Sequence, residues 1–238
     1  MSGRRRKSGW GALFTLLAVP EVAFSLAVYL GMLRLPPNLT PWGVIDIEQP
    51  PGPFVRMQIN GLALAQDQCL VTLAKSDLEY KRIANRPVRN GCGLSNGVSI
   101  TRSNVPYNGG VMASCPMAAA LYVYERVLQD AARQELGSEL TRIHHVGTYA
   151  CRNINGAAGG RRSQHATANA IDVSAFSLAD GRKVSVLRDW GADTPEGRFL
   201  EQVRDHGCVL FNTVLGPEYN ARHRDHFHLD LGRTRICR

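Results

Sequence analysis

Two short stretches in the C-terminal half of the chain alternate apolar and polar residues with a period of two. In AIDVSA, Ala170, Asp172 and Ser174 fall on one face and Ile171, Val173 and Ala175 on the other. In HFHLDL, His226, His228 and Asp230 share a face, opposite Phe227, Leu229 and Leu231. This period marks strands with one buried face. Two such strands lying together would gather Asp172, His226 and His228 over one surface. The clearest helical pattern is residues 116–136, with Pro116 suited to the first turn and Gly137 to the exit. Residues 58–75 also read as a helix, with Leu62, Leu64, Ala65, Cys69 and Leu70 mostly on one side. Residues 194–207 open with a Thr cap and Pro, then run as a third helix. Residues 97–103, 141–152 and 208–215 read as strands, and 169–187 as two strands joined at Asp180-Gly181. Helices and strands mix without a βαβ rhythm. The expected class is α+β, a small mixed or antiparallel sheet with flanking helices.

A different pattern fills the N-terminus. Residues 11–33 are almost continuously apolar, broken by Glu21 beside Pro20, and follow the basic run Arg4–Lys7. As a helix this run would extend roughly 35 Å, enough for a hydrocarbon core of about 30 Å. The expectation is a transmembrane anchor within residues 1–34, with the basic flank in the cytoplasm and the remainder exported. The alternative is a cleaved signal peptide, giving a secreted chain. Residues 35–54 carry six prolines and are expected to be an extended spacer. The folded domain is then residues 55–238.

Cysteine usage agrees with export. Cys69, Cys92, Cys115, Cys151, Cys208 and Cys237 contain no C-x-x-C pair, which argues against a zinc ribbon or a thioredoxin-type motif. An even number in an exported domain points to disulfides and to the periplasm, beyond an inner membrane. The pairing expected first is Cys69 with Cys92 and Cys151 with Cys208. Net charge is +8, and half of it comes from residues 1–34. The remainder is mildly basic and lacks a stripe interleaved with aromatics, so no nucleic-acid partner is expected.

The candidate chemistry gathers around the two alternating strands. His165 lies seven positions before Asp172, the wrong parity for one continuous strand. The chain must therefore turn between them, and Asn169 in TANA tolerates left-handed backbone. Two histidines and a carboxylate, with water in the fourth place, make a catalytic zinc set. His226 is placed to act as base, with His223 and Asp225 as alternatives, and spacing leaves His226 open as a ligand too. His144, His145 and His206 are expected to be structural.

SQHATANAID, residues 163–172, resembles the first motif of zinc D-alanyl-D-alanine carboxypeptidases and related murein endopeptidases, the LAS-type metallopeptidases. HFH resembles their second motif, and GTYACR the segment before the first. More closely, CGLSNGVSI, YACR, HATANAIDV and VLGPEYNARHRDHFHLD resemble the bacterial extensin-like C-terminal family over roughly residues 40–238. The resemblance implies a zinc peptidase core with His165, Asp172 and His228 binding Zn2+. It implies His226 as base, His223 as a further active-site histidine, and Arg152 on the substrate or the developing oxyanion. The implied activity is hydrolysis of peptide bonds in peptidoglycan stem peptides. A non-catalytic module binding zinc or wall peptide, or an envelope scaffold, is the alternative. The motif's glycine is Ala168 here, which would be strained at positive φ.

Overall fold

The computed structural model describes residues 10–33 and 35–238, with side chains from residue 19 onward. The basic run Arg4–Lys7 lies outside them. Helix α1 (Trp10–Tyr29) is followed by α2 (Val55–Leu64), α3 (Gln66–Ala74), β1 (Glu79–Arg82), β2 (Arg86–Arg89), β3 (Cys92–Leu94), β4 (Gly97–Arg102) and β5 (Val111–Ser114). Then come α4 (Cys115–Leu136), β6 (Leu140–Gly147), β7 (Ala170–Leu178), β8 (Lys183–Ser185), α5 (Val186–Asp189), α6 (Pro195–Leu210), β9 (Thr213–Leu215), β10 (Phe227–Asp230) and β11 (Ile236–Cys237). The class is α+β, as expected.

Helix α4 organises the core. Ser114 caps it by accepting from the Met117 amide at 3.4 Å, Pro116 occupies its first turn, and Gly137 ends it with φ 62°. Every residue from Met117 to Glu125 is buried. The Tyr124 hydroxyl donates to the Val203 carbonyl of α6 at 2.6 Å, and its ring meets Phe211 edge-on. Beside these helices lies a six-stranded sheet ordered β11-β9-β10-β7-β6, with β8 also pairing β7. Its pairings are antiparallel except β11 with β9. Ile171, Val173, Phe227 and Leu229 enter the core from the two alternating strands. A three-stranded sheet β1-β4-β5 and the β2-β3 hairpin complete the fold.

Several sequence expectations are corrected. The helix expected at 58–75 is two helices broken at Ala65, whose backbone (φ −117°, ψ 72°) is not helical. The break lets both Ile59 and Leu62 of α2 and Cys69 and Leu73 of α3 reach the core. Cys208 to Leu210 belong to α6 rather than to a strand. The segment 35–54 does not stand clear of the domain. Ile45 and Ile47 are buried in the core, Glu48 accepts from Tyr122 Oη at 2.6 Å, and Arg126 Nη1 donates to the Ile47 carbonyl. Helix α1 stops at Tyr29, short of Leu33, and Gly31 turns with φ 70°. Among the described residues no helix is long and apolar enough to cross a membrane, so the expected anchor is not supported.

The disulfides also differ from expectation. They join Cys69 to Cys115, Cys92 to Cys151 and Cys208 to Cys237. Their separations of 46, 59 and 29 residues are worth about 4 kcal/mol each in the chain-entropy account. The first staples α3 to the start of α4, the second ties the β2-β3 hairpin to the segment after β6, and the third anchors β11 to α6.

Candidate metal centre

Strands β7 and β10 pair with His228 directly opposite Asp172. The alternation had put both on polar faces, and the register makes them neighbours: His228 Nδ1 lies 2.8 Å from Asp172 Oδ1. His165 comes from the short 3-10 turn Gln164–Thr167, capped by the Ser163 side chain. The chain reverses after it as expected, but the left-handed residue is Ala168 (φ 53°, ψ 33°) and not Asn169. Asn169 serves otherwise, accepting from Ser114 Oγ and donating to Gln164 Oε1. The turn brings His165 Nε2 to 3.1 Å from Asp172 Oδ1 and 3.2 Å from His228 Nδ1. All three residues are buried, with one donor atom from each within 4.8 Å of the others.

The outer hydrogen bonds fix what these atoms offer. His165 Nδ1 lies 2.8 Å from the Thr148 carbonyl, which only accepts, so Nδ1 carries a proton and neutral His165 has its lone pair on Nε2. His228 Nε2 lies 2.8 Å from Asp230 Oδ2, which leaves the lone pair of neutral His228 on Nδ1. Asp230 is itself held by the Gly232 amide at 2.7 Å. Two lone pairs and a carboxylate oxygen thus converge in a buried place, an arrangement that could hold a cation. Nitrogen, nitrogen and oxygen donors backed by a carbonyl and a second carboxylate fit Zn2+. Without a metal, a proton takes that role. Burial works against charge on His228, but its hydrogen bonds to Asp172 and Asp230 outweigh this and push it up to about 9. Burial likewise opposes ionisation of Asp172, but the adjoining His165 and His228 imidazoles, with His228 donating from Nδ1 when protonated, hold it well below the usual carboxylate range.

Three further residues surround this set. His226 precedes β10 rather than belonging to it, and its Nε2 stands 3.8 Å from Asp172 Oδ1. Its Nδ1 donates to Asp225 Oδ1 at 2.8 Å, so Nε2 presents a lone pair toward the centre. The same bond holds the Asp225 carboxyl below its ordinary value. His223 is buried beside both rings, 5.3 Å from His226 and 6.1 Å from His228, and its Nδ1 contacts Asn220 Oδ1 at 2.9 Å. Burial, then the neighbouring histidines, push it down to about 4. Arg152 reaches in from outside, half exposed, with Nη2 3.3 Å from Asp172 Oδ2.

All seven residues singled out in the sequence therefore lie in one place. His144 stays apart, its Nε2 on Ser177 Oγ at 2.7 Å. Two members of the surroundings had no assigned role. Asp230 was legible as the next polar residue on the His228 face. The Thr148 carbonyl is backbone and leaves no signal in side-chain identity.

No curated protein and no solved structure matches the chain. The model of the family described as "Extensin-like protein C-terminus" matches residues 67–238, which include every residue of the centre and all three disulfides. The chain belongs to that extensin-like C-terminal family.

Proposed function

We propose that this protein is a zinc-dependent peptidase of the cell envelope, hydrolysing peptide bonds in peptidoglycan stem peptides. The observation that carries the reading is the convergence of His165 Nε2, Asp172 Oδ1 and His228 Nδ1, with both outer imidazole nitrogens already committed as donors. Zinc held there would polarise a carbonyl and lower the pKa of a bound water to about 7. His226 Nε2, oriented by Asp225, takes a proton at the mouth of the site and returns it to the leaving amine. Arg152 presents guanidinium hydrogens to a carbonyl oxygen or a terminal carboxylate. His223, neutral near pH 7, packs beside the His226 ring. Three disulfides support an oxidising compartment such as the periplasm, or secretion.

The test is metal content and product analysis on the purified protein. Wild type should carry about one zinc and release new muropeptide products. His165→Ala should lose both, and His226→Ala should keep the metal and lose turnover. Metal-dependent binding of muropeptides with no product from wild type would replace the peptidase with a non-catalytic binding module. Absence of metal binding would refute both and leave the scaffold reading.

A further inference from the structure

Two segments beside the centre carry an unbalanced charge. Residues 83–92 and 150–164 contain Arg86, Arg89, Arg152, Arg161 and Arg162 and no acidic residue, five cations in a chain whose whole excess is +8. The two are one surface. Cys92 is bonded to Cys151, Arg162 Nε donates to the Asn90 carbonyl at 2.8 Å, and Arg162 Nη1 donates to Asn153 Oδ1 at 2.9 Å. The hairpin fits closely over Arg162: Gly91 has φ 75°, and a Cβ there would stand 2.6 Å from Arg162 Cγ. Arg222 Nη1, from outside both segments, also holds the second one at the Asn155 carbonyl, 2.8 Å away. All five arginines are exposed. Arg152 pairs with Asp172 and so joins this surface to the centre, while Arg86, Arg89 and Arg161 have no ion-pair partner among the described residues.

We infer that the β2-β3 hairpin and the 152–162 loop form a docking surface for a carboxylate-bearing chain, holding substrate away from the bond that is cut. The inference rests on the peptidase reading for the identity of that chain, the peptide-bearing strands of peptidoglycan. Guanidinium forks match carboxylates, and cations spread over two segments fit a polymer with repeated carboxylates better than one small anion. Neither segment holds Phe, Trp or Tyr, so a nucleic acid would find nothing to stack its bases on.

The experiment measures co-sedimentation of the full chain with insoluble peptidoglycan at low and high salt. Charge reversal at Arg86, Arg89 and Arg161 to Glu should weaken low-salt binding about tenfold or more, and the matched Lys variant, which keeps the charge without the fork, should lose less. The same differences should appear in a His165→Ala background, so this result is read independently of metal and turnover. Thermal melting of each variant separates lost binding from lost folding. Amidating the peptidoglycan carboxylates with a neutral amine should abolish the salt-sensitive binding. Unchanged binding by the folded Glu variant, or to the amidated polymer, would overturn the inference. Equal binding to DNA or polyphosphate would overturn the carboxylate assignment.

Discussion

Metal loading at the centre should be a competition with one proton. His228 Nε2 is committed to Asp230, so the proton that titrates is the one on Nδ1, facing Asp172 and the metal position. Burial opposes it, but the two carboxylate partners push the imidazolium up to about 9. At pH 7 a metal must therefore displace a proton held about two pH units above the solution, which costs about 3 kcal/mol. Apparent affinity at pH 7 should be about 100-fold below its value above pH 9, rising about tenfold per pH unit between. Metal-free stability has the opposite slope. The folded pKa lies above the unfolded value of 6.5, so this stabilisation is full below 6.5 and is lost as pH rises through 9, about 3 kcal/mol in all. The assay is zinc competition against a chelator of known pH dependence from pH 6 to 9. Calorimetry in two buffers of different ionisation enthalpy then counts the protons released. An apparent affinity that stays flat from pH 7 to 9, or binding that releases no proton, would refute the assignment of Nδ1 as a ligand atom.

Two further outcomes test the surrounding fold. Burial pushes Glu125 up to about 7 from 4.5, against hydrogen bonds from Ser103 and Tyr107. The folded value again lies above the unfolded one, so stability is full below 4.5 and about 3 kcal/mol of it is lost as pH rises through 7. Denaturant unfolding should show that loss between pH 4 and 8 in wild type and not in Glu125→Gln; parallel curves would contradict it. At Ala168, glycine would relieve about 1–2 kcal/mol of left-handed strain. It would also lose a buried methyl worth about 0.8 kcal/mol and add unfolded-state entropy worth about 0.4–1 kcal/mol. Ala168→Gly should thus melt within about 1 kcal/mol of wild type and keep its metal, whereas a β-branched Ala168→Val should lose the turn and the metal. Metal content beside thermal melting distinguishes these, and a fully loaded Val variant would show that the turn does not set His165.

The polar face of the centre was legible because alternation is local. Asp172 and His228 each announce their side of a strand from two or three neighbours, whichever strand lies opposite. The register that sets them face to face depends on the whole sheet and left no trace in either stretch. His165 was legible as the far side of a chain reversal, because its parity with Asp172 excluded a straight strand. The residue that bends was legible only through the resemblance, which sets a glycine at Ala168. Propensity favours Asn169, but the 3-10 turn capped by Ser163 puts the left-handed position one residue earlier. The Asn169 side chain is meanwhile used to bridge Ser114 and Gln164. Glu125 was hidden for a related reason. Its partners Ser103, Val105 and Tyr107 come from a loop that meets α4 only in the folded chain.

The cysteine pairing was the least legible feature, and its true pattern bears on the site. Cys92–Cys151 fixes a segment that wraps His165. Just before Cys151, the Thr148 carbonyl accepts from His165 Nδ1, and the Ala150 amide donates to the His165 carbonyl at 3.1 Å. Just after it, Arg152 reaches Asp172. One covalent bond therefore holds the group that selects the His165 tautomer, the cation over Asp172 and the arginine-bearing hairpin in a common frame. The pairing expected from sequence, Cys69 with Cys92 and Cys151 with Cys208, would leave the arginine-bearing hairpin without a covalent link to the segment holding Thr148 and Arg152. The Cys92–Cys151 bond therefore contributes more than stability. It fixes the carbonyl that directs the His165 Nε2 lone pair toward Asp172 and His228, so reducing Cys92–Cys151 should weaken zinc loading, read as metal content before and after reduction.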